Sequence, residues 1–387
     1  MGRRPGPGLY IHLPFCPSLC PYCDFATQKY RPGQARELIA GLAVHLRRLA
    51  GALRGRRLET IYFGGGTPSM WPAAALAGLL ELAVDLWGLA PGGEVSLEAN
   101  PGTLSRGKLK ALRAAGFNRL SLGAQSFDPG RLAALGRRHS ADDTRRAVDQ
   151  ARAAGFDNLN LDIIYGLPGQ DPAAAARDLA RALALEPEHL SLYELTLGPE
   201  TPFGRRYSQG REPLPSEDQV LAMEDAALAA LAAAGLERYE VSNFARPGFQ
   251  CRHNQSTWRG GDYLAAGPGA HGHLDGRRWA YLPQVGPYLA SLTQGREPYQ
   301  FVEDLTPQQR CLELFMLGLR TTAGVELAAV EEILGRDPRQ VYAPGIRRLQ
   351  ELGWARLTAT HLVPTTLGLR MADAASAQCL GSHIGRT

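Results

Sequence analysis

The chain has no run of about 18 consecutive apolar residues, the least that a membrane-spanning helix needs. No transmembrane span is therefore expected. Residues 1–15 lack the apolar stretch and small-residue cleavage site of a secretory leader. Gly2 stands where a myristoylated glycine would, but Pro5 and Pro7 argue against that modification. A cytoplasmic protein is the default, with peripheral membrane contact left open. Lysine is scarce, occurring only at positions 29, 108 and 110, so the basic residues are nearly all arginine. No Lys/Arg block interleaved with aromatics occurs, and no nucleic-acid surface is expected. The arginine pairs at 47–48, 56–57, 137–138 and 145–146 read as solvated helix faces, with Arg137 set aside. Low-complexity tracts are absent, as are internal repeats beyond a β–α unit.

The chain holds 387 residues with 44% hydrophobic and 21% charged content, ordinary values for a globular protein with one large core, or one large and one small. Short apolar runs at 9–13, 60–63, 95–98, 120–125, 159–165 and 190–195 alternate with helical stretches at 34–52, 73–86, 105–115, 141–154 and 172–185. Gly116 and Gly155 come directly after two of these helices, where glycine caps are common. Such alternation predicts a parallel sheet with right-handed crossovers. The expected fold is α/β, an open partial (β/α)6 relative of the TIM barrel, with a doubly wound sheet as the alternative. The expected boundaries are a core barrel over 1–245, a loop-rich segment over 246–300 packed on it, and a helical, winged-helix-like unit over 301–387.

The residues at the C-terminal end of each strand are informative, because open α/β sheets place their chemistry there. A cysteine loop comes after the first strand, and Gly64-Gly65-Gly66-Thr67-Pro68 after the second. The third ends in Glu98-Ala99-Asn100-Pro101 and the fourth in Gln125-Ser126-Phe127; the fifth carries Asp162. Singly, each has a bland reading: a strand-to-helix turn, a helix cap, or plain core at Tyr193. Their recurrence at one end of the sheet reads as an active-site rim.

Six cysteines are present, three within eight residues. The spacing Cys16–x3–Cys20–x2–Cys23 is too short to span separate elements, so all three thiols share one loop. Three thiolates can hold three corners of a [4Fe–4S] cube and leave one iron open. Zinc is the alternative, and usually takes a fourth Cys or His nearby. Cys311 and Cys379 read as ordinary buried thiols.

This motif, preceded by Tyr10-Ile11-His12-Leu13-Pro14-Phe15, resembles the signature of radical S-adenosylmethionine (SAM) enzymes. It is most similar to the branch that holds oxygen-independent coproporphyrinogen III oxidases and their heme-chaperone relatives, and the likeness runs from Leu9 to about Met371. The resemblance implies that SAM chelates the open iron, where the reduced cluster cleaves it to a 5′-deoxyadenosyl radical. It implies Tyr10 and Tyr22 at the SAM pocket, with Tyr22 against the adenine. Gly65, Gly66 and Thr67 would meet the methionine end through their backbone groups. Glu98, Gln125 and Asp162 would bind polar groups of SAM, Arg137 its carboxylate, and Tyr193 and Thr196 would complete the pocket.

Within that branch, the oxidase pattern carries a fourth cysteine where this chain has Phe25, and a longer N-terminal extension than the fifteen residues before Cys16. Residues Cys251-Arg252-His253-Asn254-Gln255-Ser256-Thr257-Trp258 resemble the chaperone group's His-Asn-x-x-Tyr-Trp motif, with Thr257 in the tyrosine position. The resemblance implies a protein that binds heme, with His253 as the ligand and Cys251 and His271 as alternatives, and passes it to an acceptor apoprotein. It also implies an electron donor for the cluster. The rival expectation is oxidative decarboxylation of coproporphyrinogen III, and a third is radical SAM chemistry on another substrate. For the 251–258 segment the plain alternative is a His and a Trp packing the open side of the barrel.

Overall fold

The computed structural model describes residues 6–207, 210 and 213–380. All six expected strands are present: β1 (Gly8–Leu13), β2 (Leu58–Gly65), β3 (Leu89–Ala99), β4 (Arg119–Gln125), β5 (Leu159–Tyr165) and β6 (His189–Glu194). They pair in parallel in chain order. The crossovers are α1 (Pro32–Arg48), α2 (Ala73–Trp87), α3 (Arg106–Ala115), α4 (Ala141–Ala153) and α5 (Pro172–Leu183). Their ends are set locally. The Ser105 side chain accepts from Lys108 N to start α3, and Gly116 ends it at a left-handed φ of 110°, where a Cβ would be strained.

The period-two pattern of the strands separates two environments. Leu9, Ile11 and Leu13 of β1, Ile61 and Phe63 of β2, and Leu120 and Leu122 of β4 are fully buried in the main core, together with Leu38 and Leu42 of α1 and Leu109 and Leu112 of α3. The alternate positions, including Glu98, Ser121, Asn160, Asp162 and Ser191, line a cavity on the opposite face of the sheet. The apolar core therefore lies between strands and helices, and the inside of the barrel is polar.

The segment after the sixth unit is richer in strand than its Gly, Tyr and Trp content suggests. Beyond β6 the sheet continues through β8 (Asn243–Ala245) to β7 (Glu237–Arg238), both antiparallel. On the other side, β9 (Tyr263–Ala266) pairs with β1 in parallel, making a seventh parallel strand. From there β10 (His271–Leu274), β11 (Arg277–Tyr281) and β12 (Tyr299–Asp304) continue as an antiparallel meander. The twelve-stranded sheet thus runs β12-β11-β10-β9-β1-β2-β3-β4-β5-β6-β8-β7, an open partial barrel extended at both edges. Of the stretch expected to pack on the barrel as loops, the strands from Tyr263 onward join its sheet.

The C-terminal unit has helices Pro307–Gly318, Leu327–Leu334 and Ala343–Glu351, with strands Val325–Glu326, Ala355–Leu357 and His361–Pro364 in one small sheet. That order of helices and strands, with its hairpin followed by helices Thr366–Arg370 and Ala372–Leu380, is winged-helix-like. The unit has its own core, in which Cys311, Phe315, Leu349, Leu362 and Cys379 are fully buried. It meets the barrel through backbone hydrogen bonds from Val241 N to Arg320 O (2.9 Å) and Thr322 N to Tyr239 O (3.1 Å). No helix among the described residues is long and apolar enough to cross a membrane.

Candidate metal centre

The cysteine loop leaves β1 and is closed at its base. Phe15–Cys16 pairs in parallel with Gln28–Lys29, and Tyr30 N donates to Cys16 O at 2.9 Å. Inside this frame Cys23 N donates to Cys20 O at 3.2 Å. Cys16, Cys20 and Cys23 all line one cavity of about 730 Å³ at the C-terminal ends of the parallel strands. Burial pushes the Cys16 thiol up to about 11, with the Thr67 hydroxyl opposing, and burial likewise raises Cys23. Among the described residues no three His, Cys, Asp or Glu side chains converge tightly enough to hold a single ion. Three thiols on one cavity can hold three corners of a [4Fe–4S] cube.

The rest of the rim gathers round the same cavity. Tyr22, Gly65, Gly66, Thr67, Glu98, Gln125, Arg137, Asp162, Tyr193 and Thr196 all line it. Gly65 has a φ of 113°, and a Cβ on Gly66 would lie 2.7 Å from the Pro14 carbonyl, so both positions require glycine. The N–H groups here are already used. Gly65 N donates to Glu98 Oε2 (2.9 Å), Gly66 N to Leu13 O and Thr67 N to Phe15 O (2.9 Å each). Any backbone contact to a ligand therefore falls to the carbonyls. Gln125 sits at a φ of 65°, a strained conformation for a side chain of its size and one that recurs at functional sites.

Two carboxyls lie deeper. Glu98 also accepts from Tyr62 OH at 3.0 Å, and burial with the charge of Asp162 raises it to about 7. Asp162 accepts from Asn160 Nδ2 at 2.7 Å and Ser121 Oγ at 3.2 Å, and burial raises it too. Arg137 donates through Nη2 to Gly123 O (2.8 Å) and through Nη1 to Cys20 Sγ (3.8 Å). Its Nε is buried with no partner. A cationic fork beside the cysteines with an unused donor fits a ligand carboxylate. Replacing Arg137 by Ala is expected to weaken SAM binding roughly 10- to 100-fold, the worth of one charged hydrogen-bond pair, with iron content unchanged. Equal SAM affinity by equilibrium dialysis would remove Arg137 from the pocket.

Two expected residues lie elsewhere. Tyr10 does not line the cavity; its hydroxyl meets His12 Nδ1 at 2.9 Å, and its ring lies beside Tyr62 and His253, with centroids 6.1 and 6.4 Å away. His253 is also outside it, 8% exposed. Its Nδ1 meets Thr60 Oγ1 at 2.8 Å and its ring stacks on Tyr62 at 5.2 Å. The 251–258 motif closes the floor of the barrel from below, and only Asn254 of it reaches the cavity. Its neighbour Cys251 is fully buried. Within the motif Thr257 Oγ1 donates to His253 O at 3.1 Å. Several cavity residues carry no signal in any motif: Tyr62, Arg119, Ser121, Asn160 and Ser191. Their trace in the chain is polar residues at alternate strand positions, as in Asn160-x-Asp162 and Ser191-x-Tyr193.

Cluster loop, glycine turn, paired carboxyls and arginine on one rim of a partial β/α barrel define a radical SAM protein. Residues 10–181 match the Radical SAM superfamily and residues 305–371 the HemN C-terminal domain. The chain is 38% identical over 372 residues to the heme chaperone HemW of Mycobacterium tuberculosis, covering 93% of this chain and 95% of that protein. With HemW of Bacillus subtilis the identity is 34% over 347 residues, covering 89% and 91%. The chain belongs to the HemW family. Its fold also matches coproporphyrinogen III oxidase (HemN) of Escherichia coli with a TM-score of 0.85, over 97% of this chain and 91% of that one, at 23% identity. Membership of the radical SAM family implies a [4Fe–4S] cluster and SAM, and the residues described fit both.

Proposed function

We propose that the protein is a heme chaperone: it binds heme and hands it to an acceptor apoprotein, with the SAM-bound cluster as a resident group. The observation that carries this reading is Phe25, which is 66% exposed and lines the cavity at the position where the oxidase pattern has a further cysteine. Identity to HemW proteins over about nine-tenths of the chain supports it. The likeness to the oxidase is one of fold and carries no activity. When bound, the cluster supplies one-electron reducing power and a labile iron site; an electron donor then belongs to the system. Cys16, Cys20 and Cys23 would hold the cluster, Arg137 and the two carboxyls would orient SAM, and the apolar strand faces would keep the cavity shape. Cytoplasmic residence, with peripheral membrane contact left open, suits such a carrier.

The test is a reaction of anaerobically reconstituted protein with SAM, reductant and coproporphyrinogen III, beside a known oxidase as positive control. No protoporphyrin beyond one turnover is expected, while hemin added to the same preparation binds at one equivalent and moves to an apo-hemoprotein. Multiple turnovers of protoporphyrin would overturn the proposal.

A further inference from the structure

A heme carrier needs an imidazole that iron can reach, and the structure offers few. His12, His45, His139, His189 and His253 are buried, none more than 8% exposed. Each uses at least one ring nitrogen internally. The part-exposed His273 and His361 engage Nδ1 alone, with Gly261 O at 3.3 Å and Thr360 Oγ1 at 2.9 Å. Each keeps Nε2 for a metal, but neither has an aromatic ring among the described residues against it, as His271 does. Among the described residues only His271 is exposed with neither ring nitrogen hydrogen-bonded.

Its surroundings suit a porphyrin. His271 opens β10, and the Phe301 ring meets it edge-on with centroids 6.0 Å apart. Phe301 is 41% exposed, an apolar plane left in water beside a free ligand nitrogen. The cysteine loop adjoins the same strand. Ala26 O meets His12 Nε2 at 3.1 Å, and a Cβ on Gly269, two residues before His271, would lie 2.7 Å from the Ala26 methyl. Phe25, next to Ala26, is exposed as well.

From this geometry we infer that His271 is the axial ligand of the transported heme, with Phe301 against the porphyrin face and the cysteine loop alongside. The inference rests on the heme-chaperone reading and deepens it. It moves the ligand from His253, whose ring is enclosed between Tyr62 and Thr60, to the edge of the barrel wall, where iron can arrive and leave without opening the core. Heme held there lies close to the cluster loop without entering the SAM cavity.

The experiment titrates hemin into cluster-loaded wild type and into His271→Ala, His253→Gln and Phe301→Ala. Cluster absorbance and circular dichroism verify the fold of each. His271→Ala is expected to bind hemin roughly tenfold or more weakly, with a displaced Soret band that free imidazole restores. Phe301→Ala should keep the wild-type band position and lose affinity; His253→Gln, once folded, should keep both. A wild-type spectrum and affinity in His271→Ala overturns the assignment, as does a Soret change confined to His253→Gln. If wild type itself fails to bind one hemin, the heme-chaperone reading falls, an outcome distinct from failure of His271 alone.

Discussion

Substituting any one of Cys16, Cys20 or Cys23 by Ala is expected to reduce the broad iron–sulfur absorbance and the bound iron of the reconstituted protein to background. Ligand count sets this expectation. A cube with three protein thiolates already leaves one iron to an exchangeable ligand, so a second unliganded iron exposes it to solvent and loss. Backbone bonds close the base of the loop. Its base is held by the Phe15–Cys16 pairing with Gln28–Lys29, and by Thr67 N donating to Phe15 O at 2.9 Å. None of these bonds uses a cysteine side chain. An alanine variant should therefore keep its circular dichroism and thermal midpoint in the metal-free state while losing iron, which separates a ligand from a folding residue. Cys311 and Cys379, fully buried in the C-terminal core, serve as controls, since Ala there should lower stability and leave iron content intact. A normal cluster in any of the three loop variants would break the assignment.

The sequence carries the barrel plainly where one environment determines a whole element. Each of the first six strands has an apolar face against helices, and each crossover helix an apolar stripe, so periodicity finds them. It fails where the partner is distant. Strand β3 runs from Leu89, but Ala90-Pro91-Gly92-Gly93 looks like a turn, and the irregular pairing between Leu58 and Thr60 of β2 accommodates it. Strand β9 is only four residues long and takes its place from β1, some 250 positions earlier in the chain. The metal loop is legible because three thiols in eight residues have few other uses. Arg137 is legible only through family resemblance; nothing local distinguishes it from Arg138. His253 shows the reverse case. The motif around it suggests a ligand, whereas its ring packs on Tyr62, a contact that depends on a helix reaching across the barrel floor.

That floor yields the second large effect. Glu94 is 5% exposed at the inner face of β3, and it accepts from Arg252 N at 3.0 Å, His253 N at 3.3 Å and Cys251 Sγ at 3.5 Å. It thereby anchors the first turn of the helix Arg252–Trp258, whose N–H groups have no partner within the helix. Beside it lies Arg119, 2% exposed with an unpartnered Nε. Burial pushes the Cys251 thiol up to about 12, so it is neutral at physiological pH. Glu94 is then one of the carboxyls, with Glu98 and Asp162, that act on the buried guanidinium. Glu94→Ala removes these three acceptor contacts and a fourth from Ser96 Oγ at 3.3 Å, and takes away one of the negative groups acting on the buried Arg119, a loss of about 3–5 kcal/mol from several donors left unsatisfied. Glu94→Gln keeps a carbonyl for the helix and should lose less, about 1–3 kcal/mol. The charge component can be isolated: adding Arg119→Met to Glu94→Ala should recover part of the loss, because the second change removes that cation. Urea unfolding of wild type, the two single variants and the double variant provides the cycle. A Glu94→Ala midpoint indistinguishable from wild type would mean that solvent already compensates Arg119. A double variant no better than Glu94→Ala would assign the whole effect to the lost helix anchor.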